Sequence, residues 1–299
     1  MDFSTVPSPV IFAGDATTAY RDPAAVFHDD VFHLFFTLVR TDPAGGVRLF
    51  VAKSHSRDFL HWSAPRILTP GDPKLNFSSP GSIVRFHGRW VMCLQTYPRP
   101  GGIQYGDETS RLWTVRSDDL EHWDRPRLLK VKGPGVDRER MGRMIDPYLF
   151  RDRDDPDKWW CFYKQNGVSM SWSNDLETWH DFGRVDGGEN SCVIVDSGQY
   201  VLFHSPDNGI GVKRSPDLVH WTSGETCCLG QAHWPWARGR LTAGFVLDLR
   251  ACPRIGKAIL FFHGSGPEDE RTMFDTHASI AFAWSNNLAD WDWADRPRP

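Results

Sequence analysis

The chain has no long apolar run. No stretch approaches the roughly 18 uninterrupted apolar residues that a membrane helix needs, so no span is expected. The first residues, Met1-Asp2-Phe3-Ser4-Thr5-Val6-Pro7, lack the basic head and apolar body of a secretion signal. The six cysteines (Cys93, Cys161, Cys192, Cys227, Cys228, Cys252) form no CxxC pair and no dense framework, which excludes the usual zinc and disulfide scaffolds. Together these absences point to a soluble, cytoplasmic protein with reduced thiols. An excess of one charge is missing too: 34 basic residues face 38 acidic ones for a net of −4. With no basic stripe and no acidic or basic block, nucleic acid and membranes are not expected partners. A neutral polymer or small polar ligand fits better than a polyanion; oligomeric state is left open.

Helical periodicity is not sustained anywhere, whereas one short pattern recurs five times. It reads Ser, any residue, Asp or Asn, an apolar residue, two residues, Trp. The copies are Ser56 to Trp62, Ser117 to Trp123, Ser173 to Trp179, Ser215 to Trp221 and Ser285 to Trp291. Their tryptophans lie 61, 56, 42 and 70 residues apart, a variation that suits repeated units with loops of different length. Before each copy come three β-rich runs, and after it a short fourth. In the third unit the runs are Pro147 to Phe150, Trp159 to Tyr163 and Val168 to Trp172. Short β-branched and aromatic runs bounded by Gly, Pro, Asp and Asn are strand signals, and four strands repeated radially make a propeller. The expected fold is therefore all-β: a five-bladed β-propeller with four-stranded antiparallel blades around a central channel. It should form one domain over residues 1–299. Few residues follow Trp291, so Pro9-Val10-Ile11-Phe12 is expected to complete the last blade and close the ring. The recurring tryptophans are read as structural, because Asp side chains cap turns and Trp packs between blades.

Up-and-down blades gather the starts of their first strands at one end of the channel, opposite the Ser-x-Asp turns. Those starts read Arg21-Asp22-Pro23, Ser78-Ser79-Pro80-Gly81, Ile145-Asp146-Pro147, Glu189-Asn190-Ser191 and Thr242-Ala243-Gly244. Three of the five carry an acid at about one phase. An Asp-Pro pair is locally just a turn opening a strand, but three such acids converging on one channel mouth suggest chemistry. Cleaving a glycosidic bond needs a proton donor for the leaving oxygen and a carboxylate on the other side of the sugar. A third carboxylate beside the donor raises its pKa by like-charge repulsion.

These residues resemble the five-bladed propeller glycosidases of glycoside hydrolase family 43 and its relatives, including families 32 and 117. The strongest match is Ile145-Asp146-Pro147-Tyr148-Leu149-Phe150 with the acidic turn Arg151 to Asp155 behind it. The resemblance implies Asp22 as general base, Asp146 as pKa modulator and Glu189 as general acid. It also implies an inverting, exo-acting glycosidase that releases a terminal pentose or related sugar. No cofactor is required by that chemistry and no metal ligand set is assigned. The family nevertheless often holds a channel ion, for which Ca2+ with His263 is the positional candidate. Family 32 proper fits poorly, since Arg-Asp-Pro sits here in the first blade and Cys192 lies three residues beyond Glu189.

Further residues on the same face are candidate sugar contacts: Arg143, His204, His263 and Lys164, with Gln95, Tyr97 and Gln165 in similar places. The segment His233-Trp234-Pro235-Trp236 has no counterpart in other units, and Trp234 or Trp236 is expected to wall the pocket. The connections Arg99 to Ser110 and Ser265 to His277 are expected to narrow the channel. Two rival functions remain: a propeller phosphorylase, with phosphate held by Arg143, Arg271 or Lys164, and a non-catalytic glycan-binding propeller.

Overall fold

A computed structural model describes residues 1–222, 224–267 and 274–296. They form five antiparallel sheets in a ring. The innermost strands are Thr18–His28 in blade one, Phe77–Ser78 with Ile83–Phe86 in blade two, and Ile145–Arg151 in blade three. Glu189–Asp196 and Arg240–Leu249 serve blades four and five. Each pairs outward with the next strand of its own blade. The helical elements among the described residues are short 3-10 turns, and no helix is long and apolar enough to cross a membrane.

The last blade is closed from both ends of the chain. Val10–Phe12 pairs with Ser279–Ser285, matching Val10 to Ala281, and Trp291–Asp292 pairs further along the same strand. The expectation from strand counting holds, and the C-terminal segment adds a second outer partner. Packing reinforces this seam. Phe59, on the blade-one turn, meets Phe3, Phe32 and Phe282 at ring separations of 4.9, 4.8 and 4.6 Å.

The Ser-x-Asp turns explain their own recurrence. In every copy the apolar residue is left-handed, with φ of 66° at Phe59, 63° at Leu120, 59° at Leu176, 65° at Leu218 and 64° at Leu288. That conformation costs an ordinary side chain about 1–2 kcal/mol, so the turn needs compensation. The apolar side chain is buried each time. The Ser Oγ accepts the backbone N–H of the apolar residue, at 2.9 Å for Phe59 and 2.8 Å for Leu218. The Asp Oδ1 accepts the next two N–H groups, as Asp217 does from Val219 and His220. Trp221 Nε1 then donates back to the Leu218 carbonyl at 3.0 Å. These residues build the fold on the face away from the site.

Candidate active site

A second left-handed residue recurs on the opposite face, and it organises the channel. Asp22, Ser79, Asp146, Asn190 and Ala243 have φ of 47°, 47°, 53°, 52° and 56°. In four of the five blades the ladder register shifts at this point, for example between Arg21 and Ala24. Each first strand thus carries a bulge that bends the chain and re-aims its side chains. The bulge also turns a backbone N–H toward the neighbouring blade, where a second-strand side chain of the preceding blade receives it. Ser79 N donates to Thr37 Oγ1 at 2.7 Å, Asp146 N to Gln95 Oε1 at 2.6 Å and Ala243 N to Ser205 Oγ at 2.8 Å. Asp22 N donates to His263 Nδ1 at 3.1 Å, closing the circle between blades five and one. Lys164 holds the equivalent place in blade three, paired with Ile145, but an ammonium offers no acceptor. The junction between blades three and four lacks this link and opens instead into a groove of about 650 Å3, lined by Lys164, Gly188, Glu189, Asp207 and Arg240.

Asp22, Asp146 and Glu189 are brought together, lining one cavity of about 460 Å3 at the channel mouth with Gln95, Arg240 and His263. Their phase needs one correction. Asn190, not Glu189, is the structural equivalent of Asp22 and Asp146. Glu189 stands one residue earlier, in the place of Arg21 and Ile145, because the bulge follows it rather than coinciding with it. The consequence is a division of depth. Asp22 and Asp146 also line the lower channel, while Glu189 reaches both the mouth and the open groove.

Each acid is held differently. Asp22 is 9% exposed and its Oδ2 accepts from Thr37 Oγ1 at 2.8 Å. Asp146 is 7% exposed and its Oδ1 accepts from Ser79 Oγ at 2.7 Å. Burial, then the charges of Glu189 and Asp22, push Asp146 up to about 7, against the pull of Ser79 and Arg143. The Glu189 side chain is 36% exposed and stands 3.5 Å from Arg240. Gly188 sets where Glu189 begins, since a Cβ there would meet the Ser205 carbonyl oxygen at 1.5 Å.

His263 is 2% exposed, and burial pushes it down to about 3 despite Asp22, with Arg21 and Arg240 adding to the fall. It is therefore neutral. Because Nδ1 accepts the Asp22 N–H, the hydrogen sits on Nε2, where it has no partner among the described residues. Such a donor suits a sugar hydroxyl or water. It suits a channel Ca2+ poorly, as do the neighbouring guanidiniums of Arg21 and Arg240. No cluster of three or more His, Cys, Asp or Glu among the described residues is placed to hold a metal.

Other expected contacts divide. Arg143 lines the mouth, and Lys164 the groove beyond Glu189. Gln95 and Tyr97 line the main cavity. Gln165 instead ties down the approach to Asp146, donating to the Met141 and Arg143 carbonyls. His204 is not in the triad's cavity. Its Nδ1 accepts from Gly188 N at 3.0 Å and its ring fills the space over Gly211, so it fastens the approach to Glu189. Trp234 and Trp236 do not wall the pocket. The 3-10 turns Gly230–His233 and Pro235–Ala237 fold the segment onto blade five, and the two rings stack on each other at 5.1 Å and on Phe262. The first connection and the described end of the second reach the mouth: Gln104, Tyr105 and Phe274 line it, and Arg99 grips Asp275 through both carboxylate oxygens at 2.8 and 2.9 Å; residues 268–273 of the second connection lie outside the described residues. Arg271 lies outside the described residues.

Sequence reasoning missed Arg21, Arg99 and Arg240. Arg21 adjoins Asp22 in the Arg-Asp-Pro motif, but nothing local marks the other two as reaching the same mouth.

No protein-family model matches the chain, and no curated protein matches it in sequence. Solved structures match its fold over nearly its whole length. A family 117 glycoside hydrolase from the marine bacterium Zobellia galactanivorans superposes with a TM-score of 0.66 at 15% identity, covering 95% of this chain and 91% of that one. The β-xylosidase RS223 gives 0.63 at 12% identity, with 92% and 95% covered. An exo-1,5-α-L-arabinanase from a bovine ruminal metagenomic library gives 0.62 at 15% identity, with 90% and 94% covered. The chain shares the five-bladed propeller fold of family 43 and family 117 glycoside hydrolases.

Proposed function

We propose that the protein is a glycoside hydrolase that removes a terminal sugar unit by inversion, with Asp22, Asp146 and Glu189 as its working carboxylates. The observation that carries this reading is the convergence of three acids from three blades on one cavity, with a proton kept near neutrality by burial and mutual repulsion. Fold alone would not suffice, since one scaffold hosts many activities.

The roles follow from position. Asp22 lies deep, its carboxylate oriented by Thr37, and acts as the base that takes a proton from water. Glu189 lies where the cavity meets the open groove and donates a proton to the leaving oxygen, so the released alcohol departs along that groove. Asp146 lines the same cavity as both and keeps a proton up to about 7, so the cluster holds a proton that can pass to Glu189 for the departing oxygen. The glycosidic C–O bond breaks as the water oxygen bonds to the anomeric carbon. One proton moves from water to Asp22 and one from Glu189 to the aglycone, so water is consumed and no other reactant is needed. The neutral His263 donates from Nε2 to a sugar hydroxyl or the water. The connections that bring Gln104, Tyr105 and Phe274 to the mouth narrow it, which favours a chain end over a mid-chain segment, hence exo action. A pentose or related furanose is the sugar suggested by the resemblance; no channel metal enters the mechanism.

The test is hydrolysis of alkyl arabinofuranosides, xylosides, galactosides, fucosides and glucuronides, whose leaving oxygens need a proton, by wild type and Glu189→Gln. Turnover that falls by about 10²–10⁴-fold in the variant supports the reading. Turnover only with inorganic phosphate present would favour the phosphorylase reading, for which the arginines at the mouth speak. Sugar binding without any turnover would favour a glycan-binding propeller.

A further inference from the structure

Four arginines from four separate parts of the chain, Arg21, Arg99, Arg143 and Arg240, line one cavity of about 490 Å3 directly above the carboxylates, with Glu189 the only acid among the described residues on its wall. The protein as a whole is slightly acidic, so this is a local concentration of positive charge rather than part of a basic surface. Their partners show what is left over. Arg99 is neutralised by Asp275, itself buried behind the wall. Among the described residues Arg143 meets no carboxylate in an ion pair; it donates to the Gly106 carbonyl and, at 3.4 Å, to Tyr97 Oη. Arg240 approaches Glu189 only to 3.5 Å, and its buried Nε has no partner among the described residues. Arg21 faces the charges of Asp22, Asp275 and Glu189.

These guanidiniums are also pre-set in orientation. Arg21 and Arg240 lie over the Phe274 ring at 5.7 and 5.3 Å, and Arg143 over the Tyr97 ring at 5.6 Å. A guanidinium held against an aromatic face keeps its planar fork free for two-pronged recognition of an oxyanion. Neutral hydroxyls would not require so many.

We propose that the sugar bound at this mouth carries an anionic substituent, such as the carboxylate of a uronic acid or a sulfate ester, and that Arg143 and Arg240 grip it. This rests on reading the channel as a sugar site, and it replaces the neutral polymer or small polar ligand expected from overall charge.

The test measures binding by calorimetry to Glu189→Gln, with free sugars that carry no glycosidic bond to cleave. The probes are glucuronate, galacturonate and galactose 6-sulfate, each against its neutral parent sugar, with inorganic phosphate as a separate arm. At least one acidic sugar is expected to bind about tenfold or more tightly than its parent, with the preference shrinking as salt is raised. Adding Arg143→Gln should abolish the preference, while Arg143→Lys, which keeps charge but loses the fork, should restore only part of it. Arg240→Gln provides an independent check should the first variant unfold. Equal binding of acidic and neutral sugars, binding of none of the acids, or binding of phosphate alone would overturn the proposal. The two readings can fail separately. Turnover of neutral glycosides with no acidic preference keeps the hydrolase and sinks this inference. Acidic sugars bound but no glycoside cleaved does the reverse.

Discussion

Asp146→Asn should make the protein more stable and less active, and the stability gain should depend on pH in a defined direction. Asp146 has an ordinary value of 3.8 and is pushed up to about 7 in the folded chain, first by burial and then by Glu189 and Asp22. The folded state therefore binds this proton more tightly than the unfolded state does. Stability is greatest where both states are protonated, below about 3.8, and is lost as pH rises toward 7. At about 1.36 kcal/mol per pH unit the loss amounts to roughly 4 kcal/mol by pH 8. Asparagine is nearly isosteric, can still accept from Ser79 Oγ through its carbonyl oxygen, and does not ionise. The variant and wild type should thus match near pH 4 and separate to about 4 kcal/mol in favour of the variant at pH 8. The assay is urea unfolding of both chains at several pH values across that window. Turnover of the variant should fall by about 10²-fold or more. A stability difference that stays constant from pH 4 to pH 8 would refute the claim that Asp146 is the group holding the raised proton.

Three further outcomes follow from the same contacts. Thr37→Val removes both the hydroxyl that orients Asp22 and the acceptor for Ser79 N; it should cost about 1–3 kcal/mol of stability and lower kcat more than it changes KM. Ser215→Ala takes away the acceptor that supports left-handed Leu218; about 1 kcal/mol should be lost on unfolding with turnover unchanged. The first product formed from an active glycoside should have the opposite anomeric configuration to the substrate by proton NMR, and retention would contradict the water-activating role of Asp22.

What the sequence made legible was local. The Ser-x-Asp-Leu-x-x-Trp turn satisfies itself within seven residues, so its five copies announced the blades and their faces. Asp22-Pro23 and Asp146-Pro147 could be read because a strand start has a definite place in a propeller. Glu189 was found but misplaced by one position, since a bulge in the ladder leaves no mark that separates Glu189 from Asn190. Trp234 and Trp236 misled because two consecutive 3-10 turns, which depend on docking against Phe262, decide where those rings go. His204 looked like His263 in sequence, each ending a second strand. They diverge because His263 meets Asp22 at the channel, whereas His204 receives Gly188 outside it. Of the arginine-lined mouth only Arg143 could be read, for the four side chains come from positions 21 to 240 and meet only when the ring closes.

The most direct test of the central claim compares Glu189→Gln with Asp22→Asn on glycosides whose leaving groups differ in acidity. A departing group that is already a stable anion needs no proton donor, whereas attack by water needs the base whatever departs. The account predicts that Glu189→Gln loses most of its turnover on an alkyl glycoside yet retains much of it on a dinitrophenyl glycoside, while Asp22→Asn loses both. Equal losses for the two variants across the series would contradict the division of labour between the deep carboxylate and the one at the mouth.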